Sequence, residues 1–287
     1  MSNETHPLET GTDELLAELD HGVAVITLNR PESRNALSDK LSPALRELLP
    51  KLAADPAVRC VMITGAGTAF CAGGDVKGMA GKGGQKRDET SSTPPRPTPR
   101  TVDEAIEDLR VRQVAMTGAL YDLPKPTLAA LPGAAAGAGL SIALACDLRI
   151  AAESAFITTG FANIGLAGDY GASFFLTQLV GTAKARELFF SADRVDARTC
   201  EQLGIVNRVV PDDQLREKAL EWARQLAAGP TVAYRYMKAN LDRALRNDLH
   251  TCLAFEAEGI VATARTEDHR EAVKAFMEKR RPTFKGS

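Results

Sequence analysis

The sequence predicts an α/β fold, and three observations support this prediction. Two runs rich in β-branched residues, Val23–Asn29 and Val58–Thr64, have the composition of strands. Between them, over Ser38–Ala54, apolar residues recur at helical spacing. After Pro211 the pattern is helical only. Strands mixed with helices, followed by helices alone, indicate an α/β core and a helical C-terminal region.

The predicted elements divide the 287 residues into three parts. Residues 1–13 are polar and are expected to form a flexible tail. Residues 14–210 are expected to form the core, with a mobile loop at 81–100 because Gly, Lys, Ser and Pro there cannot bury an apolar face. Further core strands are expected at 127–131, 147–151, 155–159 and 204–210, and core helices at 103–120, 173–180, 183–190 and 197–203. Residues 211–287 are expected to form four helices, at 212–228, 231–246, 248–265 and 268–280.

Composition and charge exclude several functional classes. A net charge of −2, with 25% charged and 44% hydrophobic residues, is typical of an ordinary globular protein and predicts neither a nucleic-acid nor a membrane partner. The five scattered cysteines fit free thiols in a reducing cytoplasm, and no residues have metal-ligand spacing. The N-terminus lacks the apolar stretch of a signal peptide. We therefore expect a cytoplasmic protein without a metal site.

The uncharged segment from Pro126 to Cys146 is rich in Gly and Ala. It is a poor membrane span, because Gly and Ala are only weakly apolar and Pro132-Gly133 interrupts it. A buried strand, turn and helix without a functional role would also explain it. However, a helix that starts near Gly137–Leu140 would direct unpaired N–H groups at an oxygen that gains negative charge.

Two Gly-rich turns, Ala72–Gly74 and Ala136–Gly139, each follow an apolar strand. Such turns could direct two backbone N–H groups at one carbonyl oxygen, which is the arrangement of an oxyanion hole. Each donor of this kind typically contributes about 3 kcal/mol to transition-state stabilisation. Neither turn carries the spacing of a nucleotide-binding loop.

Four stretches together resemble the crotonase superfamily, the enoyl-CoA hydratase/isomerase family. They are residues 29–37 (NRPESRNAL), 69–77 (AFCAGGDVK), 132–147 and 276–284 (FMEKRRPTF). The similarity extends from Leu15 to Lys285.

The resemblance implies a crotonase-like spiral of ββα units with a C-terminal helical trimerisation region. It also implies a homotrimer, or a hexamer built as a dimer of trimers. The implied partner is an acyl-CoA thioester, with coenzyme A as part of the substrate and no separate cofactor. The thioester carbonyl would lie between the backbone N–H groups of Gly74 and Ala138, which would stabilise the enolate.

The family's contacts to CoA give a second group of candidates. In relatives, the backbone at 34–37 lies along CoA, and residues matching 276 and 279 reach the adenine end from a neighbouring subunit. Lys77 follows the first oxyanion turn. The candidates in this chain are Arg34, Ala36, Leu37, Ala72, Asp75, Lys77, Phe276 and Lys279. Each could instead be a loop residue, a solvated lysine or a packing aromatic, and Asp75 could be a structural cap.

The chain departs from the family's hydratases at both catalytic glutamates. Ser141 occupies the first position and Phe161 the second. Neither side chain can hold a water molecule between two carboxylates, so hydratase chemistry of the ordinary kind is predicted to be impaired. Ser141 and Phe161 therefore remain substrate-contact candidates, and Ser141 either contributes its hydroxyl or fills space.

Asp169 matches the aspartate of dienoyl-CoA isomerases and of ring-epoxide (1,2-epoxyphenylacetyl-CoA) isomerases. The ring-epoxide isomerases also pair this aspartate with an aromatic at the position of Phe161. The CoA dehalogenases carry a nucleophilic aspartate there, but this chain lacks their partner histidine. Desolvated among Phe161, Phe174 and Leu166, the carboxylate would be a stronger base. A helix N-cap is the alternative role for Asp169.

Three hypotheses follow. The favoured one is an isomerase for unsaturated or ring-epoxide acyl-CoA, in which Asp169 is the proton shuttle. The second is an enoyl-CoA hydratase of fatty-acid oxidation that relies on Asp169 alone. The third is a non-catalytic acyl-CoA binder.

Overall fold

Two β-sheets form the centre of the protein, in a computed structural model that describes residues 5–75 and 101–287. The strands are β1 (His6–Pro7), β2 (Leu15–Asp20), β3 (Val23–Leu28), β4 (Cys60–Gly65), β5 (Ala69–Cys71), β6 (Thr127–Leu131), β7 (Ala134–Ala136), β8 (Leu148–Ala152), β9 (Phe156–Thr158), β10 (Val195–Asp196) and β11 (Arg208–Val210). The larger sheet has the order β1-β2-β3-β4-β6-β8-β11, and the smaller sheet has the order β10-β9-β7-β5. From β3 to β11 the larger sheet is parallel.

The helices surround these sheets and continue after the last strand. They are α1 (Leu41–Ala54), α2 (Val102–Gln113), α3 (Ala119–Tyr121), α4 (Ala138–Ala145), α5 (Ala172–Ser191), α6 (Ala197–Gln202), α7 (Leu215–Ala227), α8 (Thr231–Ala244), α9 (Leu249–Thr263) and α10 (Glu267–Met277). A π-helical turn, Val114–Gly118, joins α2 to α3.

The chain repeats one pattern as it crosses the two sheets. The strands β4, β6 and β8 are neighbours in the larger sheet, and the strands that follow them, β5, β7 and β9, are neighbours in the smaller sheet. The pairs β6/β7 and β8/β9 lead into the helices α4 and α5. This is the expected spiral of ββα units, and the expected C-terminal helices are present.

Three loops meet at one edge of the smaller sheet. Cys71 at the end of β5 pairs with Ala135, and Ala136 at the end of β7 pairs with Thr158 at the end of β9. Because these strands are parallel, the loops that leave their carboxyl ends lie side by side. Those loops contain Gly74, the start of α4, and Phe161.

Most of the sequence-based elements are confirmed, with differences where local pattern is weak. The predicted strand at 204–210 is confined to Arg208–Val210, and the two helices predicted between 173 and 190 form one element, α5, interrupted at Gly181, whose φ is 75°. In the smaller sheet, β9 lies within the strand predicted at 155–159, whereas β5, β7 and β10 were not predicted, because strands of two or three residues are too short to show an alternating pattern. The sequence analysis also did not identify β2.

The expectation of a flexible tail over residues 1–13 is wrong for part of that range. His6 and Pro7 pair with Leu19 and Glu18 of β2, and the amide of Leu8 donates to the carbonyl of Ala17. Edge pairing of this kind satisfies backbone groups without an apolar side-chain pattern, which is why composition did not reveal it. The loop expected at 81–100 lies outside the described residues.

The C-terminal helices are connected to the core through Asp147. Its carboxylate accepts from the amide and the hydroxyl of Thr127 at 2.8 and 2.9 Å, and it forms an ion pair of 2.9 Å with Lys238 of α8. These contacts give Asp147 a structural role between β6 and α8. None of the helices in the described ranges is long and apolar enough to cross a membrane.

Candidate active site

The turn that follows β5 exposes a backbone donor at Gly74. The amide of Leu37 donates to the carbonyl of Gly73 at 2.8 Å, and the amide of Ala72 donates to the carbonyl of Arg34 at 2.9 Å. Because a trans peptide directs its C=O and N–H in opposite directions, the N–H of Gly74 points away from Leu37. Among the described residues this N–H has no acceptor.

The start of α4 supplies the second backbone donor. Gly137 precedes the helix with φ at 51°, and its carbonyl accepts from the amide of Ser141 at 3.1 Å along the helix axis. The N–H of Ala138 therefore points out of the N-terminus, as the first N–H groups of any helix do. It too has no acceptor in the described part of the chain.

The two turns touch each other. A Cβ atom placed on Gly73, whose φ is 89°, would lie 2.8 Å from the carbonyl oxygen of Ala136 and 3.3 Å from the amide nitrogen of Ala138. Only glycine tolerates both that backbone conformation and that close approach. The sequence-based prediction that the two Gly-rich turns come together is consistent with this geometry.

Asp169 lies in a loop with an unusual backbone conformation. Gly168, Tyr170 and Gly171 all have positive φ, at 100°, 52° and 81°. The atom Oδ1 of Asp169 is buried and has no hydrogen-bond partner among the described residues. Burial raises the pKa of this carboxyl above the ordinary aspartate value.

The N-cap role considered for Asp169 is wrong. Helix α5 begins at Ala172, its N-cap residue is Gly171, and no side chain caps it. Instead, the backbone carbonyl of Asp169 accepts from the amide of Ala172 at 3.2 Å. The carboxyl group is therefore not used to begin the helix.

The ring of Phe161 connects the oxyanion turn to the Asp169 loop. Phe161 is buried and stacks on Phe189 with the ring centroids 6.1 Å apart. Cβ atoms placed on Gly137 and Gly168 would lie 3.7 and 3.5 Å from this ring. At the position of a catalytic glutamate in hydratases, the chain therefore has an apolar wall.

The other two side chains expected to desolvate Asp169 are placed differently. Phe174 packs against Tyr121 and Phe175, with ring centroids 6.0 and 5.4 Å away. Leu166 is 55% exposed, so the expectation that it shields the carboxyl is wrong for the described structure. Leu166 precedes the residues with positive φ at 168, 170 and 171, and the local sequence does not show which way its side chain points.

Ser141 is fully buried, and its hydroxyl is directed at backbone carbonyls. The Oγ atom lies 3.0 Å from the carbonyl oxygen of Asp169 and 3.2 Å from that of Gly137. A hydroxyl has one proton to donate, so it bonds these acceptors in turn or shares the proton between them. In this structure Ser141 therefore supports the Asp169 loop.

A network that sequence reasoning missed holds the segment 34–37 beside the first oxyanion turn. The side chain of the fully buried Asn35 accepts from the amide of Arg30 at 2.8 Å and donates to the carbonyls of Ala66 and Ala69 at 2.9 and 2.8 Å. The guanidinium of Arg30 donates to the carbonyl of Ala36 at 2.7 Å and lies 3.4 Å from the carboxylate of Asp75. Arg34 and Asn35, within the segment that this network holds, both have a left-handed backbone conformation.

Two of the remaining CoA candidates, Phe276 and Lys279, lie far from these turns in the sequence. Phe276 is on α10 with 81% of its surface exposed, and Lys279 follows that helix with φ at 52°. Lys77 lies outside the described residues.

The chemistry available in the described site is that of backbone amides and of the carboxyl groups of Asp169 and Asp75, the second of which lies beside the guanidinium of Arg30. No group of three or more potential His, Cys, Asp or Glu metal ligands occurs within the described ranges. Burial raises the pKa of the Cys71 thiol, which lies beside the oxyanion turns, to about 12, so it is neutral near pH 7. Asp169 is the acid–base candidate that remains.

Comparisons with known proteins agree with this geometry. The family model for enoyl-CoA hydratase/isomerase matches residues 18–96 and 102–287. The chain is 35% identical to the 1,2-epoxyphenylacetyl-CoA isomerase of Escherichia coli, over 95% of this chain and 98% of that protein. It is 31% identical to the short-chain-enoyl-CoA hydratase of Clostridium acetobutylicum, over 94% and 96%. A crystal structure of an enoyl-CoA hydratase from Polaromonas superimposes with a TM-score of 0.83 at 31% identity, covering 94% of this chain and 99% of that one.

Proposed function

Because the chain belongs to the enoyl-CoA hydratase/isomerase family, we propose that it is an acyl-CoA isomerase in which Asp169 moves a proton within the bound substrate. Enzymes of this family act on CoA thioesters, and coenzyme A enters as part of the substrate. The observation that carries the proposal is the buried oxygen of the Asp169 carboxyl group, which has no partner among the described residues. It belongs to a loop, and the Phe161 ring packs between that loop and the oxyanion turn.

The backbone donors supply the electrostatic part of the reaction. The carbonyl oxygen of the thioester accepts hydrogen bonds from the N–H groups of Gly74 and Ala138. When a proton leaves the carbon chain, negative charge moves onto that oxygen, and donors already in place stabilise it without reorganisation. The positive end of α4 adds to this stabilisation.

Asp169 supplies the proton transfer. Its carboxylate takes a proton from the α- or γ-carbon of an unsaturated or ring-epoxide acyl group, which leaves a delocalised enolate and a neutral carboxylic acid. The acid returns the proton to another atom of the same substrate, and the double bond or ring rearranges without net gain or loss of atoms. A raised pKa makes the carboxylate a better base, and burial excludes competing water.

Hydration of an enoyl-CoA is the second candidate function. It is favoured by the names of several relatives, including the short-chain-enoyl-CoA hydratase, and would use Asp169 alone to activate water. Against it stands the pair Ser141 and Phe161 at the glutamate positions, because neither can bind a water molecule as a carboxylate does. Against simple acyl-CoA binding without catalysis stand the two backbone N–H groups of Gly74 and Ala138, which have no acceptor among the described residues.

The assembly is proposed from the family resemblance, and the location from the composition of the chain. We expect a homotrimer or a dimer of trimers, in which Phe276 and Lys279 reach the adenine end of CoA bound to a neighbour. The expected location remains the cytoplasm. Arg34, Ala36, Leu37, Ala72, Asp75 and Lys77 are proposed to line the CoA path.

Substitution of Asp169 tests the proposal. The wild type and Asp169→Asn would be supplied with trans-2-enoyl, 3-enoyl, 3,5-dienoyl and ring-epoxide acyl-CoA, and the products separated by chromatography. We expect isomerised product from the wild type and a fall in kcat of about 10³-fold in the variant, with little change in KM. Asp193→Asn, an exposed matched control, retains full activity. Hydration of trans-2-enoyl-CoA without isomerisation, or unchanged isomerisation in Asp169→Asn, would contradict the proposal.

A further inference from the structure

The peptide group that joins Asp169 to Tyr170 is held by a side chain at each end. Its carbonyl oxygen lies 3.0 Å from the hydroxyl of Ser141, and its N–H donates to the Oε1 atom of Gln113 at 2.6 Å. The two side chains come from different helices, α4 and α2. The peptide plane therefore cannot rotate without the loss of both hydrogen bonds.

The local backbone conformation explains why this peptide group needs support. Tyr170 has φ at 52°, a region that a bulky side chain rarely adopts, and it lies between glycines with φ at 100° and 81°. A loop with two glycines and a strained tyrosine has other accessible conformations, in which the preceding carboxyl group would turn away. Tyr170 itself is buried, so the strained conformation is also held by packing.

The two hydrogen bonds connect Asp169 to parts of the molecule that have their own fixed positions. Ser141 lies one helical turn after Ala138 on α4, so one short helix carries both the oxyanion donor and the hydroxyl that supports the Asp169 loop. Gln113 is the last residue of α2 before the π-helical turn, and its own carbonyl lies 3.2 Å from the hydroxyl of the buried Thr117. π-Helical turns of this kind are frequent at functional sites.

We infer that Gln113 and Ser141 are positioning residues. They hold the Asp169–Tyr170 peptide group, so that the carboxylate of Asp169 keeps its position relative to the N–H of Ala138. This inference rests on the proposed function of Asp169. Ser141 thus stands at the position of a catalytic glutamate of hydratases, but it acts through the backbone carbonyl of Asp169. Gln113 would act on the same peptide group from the opposite side.

The kinetic test uses variants that remove one hydrogen bond each. Gln113→Met keeps the size and loses the acceptor, and Ser141→Ala loses the donor. Each is expected to lower kcat about 10- to 100-fold, as misplacement of a catalytic group by about 1 Å does, while KM for acyl-CoA changes by less than about threefold. Gln225→Met, on an exposed face of α7, is the matched control and keeps the wild-type kcat.

A conservative variant gives a second signature. Gln113→Glu keeps an accepting oxygen, so most of kcat should be recovered relative to Gln113→Met. It also adds a second carboxylate near Asp169, which raises the pKa of the base and moves the acid limb of the pH–rate profile to higher pH. Because this movement of the acid limb follows from proximity alone, the recovery of kcat relative to Gln113→Met is the result that supports positioning through an accepting oxygen.

Double variants separate this inference from the proposed function. In an Asp169→Asn background, Gln113→Met and Ser141→Ala should cause no further fall in kcat, because they act through a base that is already absent. An undiminished further loss would show that they act independently and would overturn the inference. If Asp169→Asn itself leaves kcat unchanged, the proposed function fails, whatever the other variants do.

Amide hydrogen exchange tests the hydrogen bond between Gln113 and the Asp169–Tyr170 peptide group without any substrate. The amide of Tyr170 should exchange slowly in the wild type and at least 10-fold faster in Gln113→Met, while amides within α5 are unaffected. Equal exchange of Tyr170 in both proteins would overturn the inference even if the isomerase activity is confirmed.

Discussion

The carboxyl group of Asp169 is the group proposed for proton transfer, and its environment opposes ionisation. Its buried oxygen has no partner among the described residues, and desolvation raises its pKa. For an acid, a pKa that is higher in the folded than in the unfolded chain means that the folded state binds the proton more tightly. The resulting stabilisation is present at low pH and is lost as pH rises through the raised pKa, so near pH 7 the ionised group destabilises the fold.

Asp169→Asn should therefore stabilise the protein at pH 7.5 while it abolishes isomerisation. We expect an increase in Tm of about 2 °C, because the substitution removes an unpaired charge from a partly desolvated site. The increase should shrink between pH 7.5 and pH 4, because the wild-type carboxyl takes up a proton as pH falls through its raised pKa. Calorimetry at both pH values checks this, and an equal or lower Tm at pH 7.5 would argue against a destabilising carboxylate.

The same shift determines how the rate depends on pH. The carboxylate is the active form of the base, so kcat/KM should fall as pH drops through a pKa above the ordinary aspartate range. A pH–rate profile of the wild type from pH 4 to 8 measures this pKa. An acid limb at or below the ordinary aspartate pKa would show that burial does not tune this group in the free enzyme.

Helix α4 determines where the oxyanion donor of Ala138 lies. The helix packs directly on β5 at Gly139, where an added Cβ atom would lie 2.4 Å from the carbonyl oxygen and 2.6 Å from the Cβ of Cys71. No side chain other than hydrogen fits between these two elements without movement of backbone. The contact therefore fixes the second oxyanion turn relative to the strand that leads into the first.

Gly139→Ala should displace α4 from β5 and separate the two N–H donors. We expect a fall in kcat of more than about 100-fold, comparable to the loss of one oxyanion donor, together with a destabilisation of about 2 kcal/mol from the forced overlap. The control is Gly204→Ala, where the added atom has no neighbour within 4 Å, although Gly204, unlike Gly139, has a positive φ of 75°. That control should show a small decrease in Tm and an unchanged kcat, and a normal kcat in Gly139→Ala would contradict the argument.

At the scale of the whole molecule, the C-terminal helices leave apolar surface uncovered. Large apolar residues on α8, α9 and α10 are more than one third exposed, and they include Met237, Leu241, Leu249, Leu253, Ile260, Val261, Val273, Phe276 and Met277. Single exposed apolar residues are ordinary, but a series of them along three consecutive helices is typical of an interface. This agrees with the expectation that the region mediates trimerisation.

The oligomeric state can be tested by charge substitution on that surface. Wild-type protein should have the mass of three or six chains in light scattering, and the double variant Leu241→Asp/Ile260→Asp should be monomeric. These side chains are 70% and 68% exposed in the single chain, so the change should not unfold the monomer. Val102→Asp, on α2, is the control and should keep the wild-type mass. A monomeric wild type would refute the expected assembly.

The sequence by itself determined the class of fold and the two Gly-rich turns proposed to form the oxyanion hole. Strand composition and helical spacing are local properties, and a glycine required by a close backbone approach, such as Gly73 or Gly139, is visible in the chain as a Gly-rich turn. The family resemblance added Asp169. Short edge strands and the pairing of His6 with β2 were not visible, because they depend on a neighbouring strand rather than on their own residues.

Only the tertiary structure decided what surrounds Asp169. Its peptide group is supported by Ser141, 28 residues away, and by Gln113, 57 residues from Tyr170. Nothing in the residues near Gln113 or Ser141 indicates these hydrogen bonds, since a polar side chain can bond many partners and the fold selects one. The burial that raises the pKa of Asp169 has the same origin, because desolvation depends on every element packed around the carboxyl group.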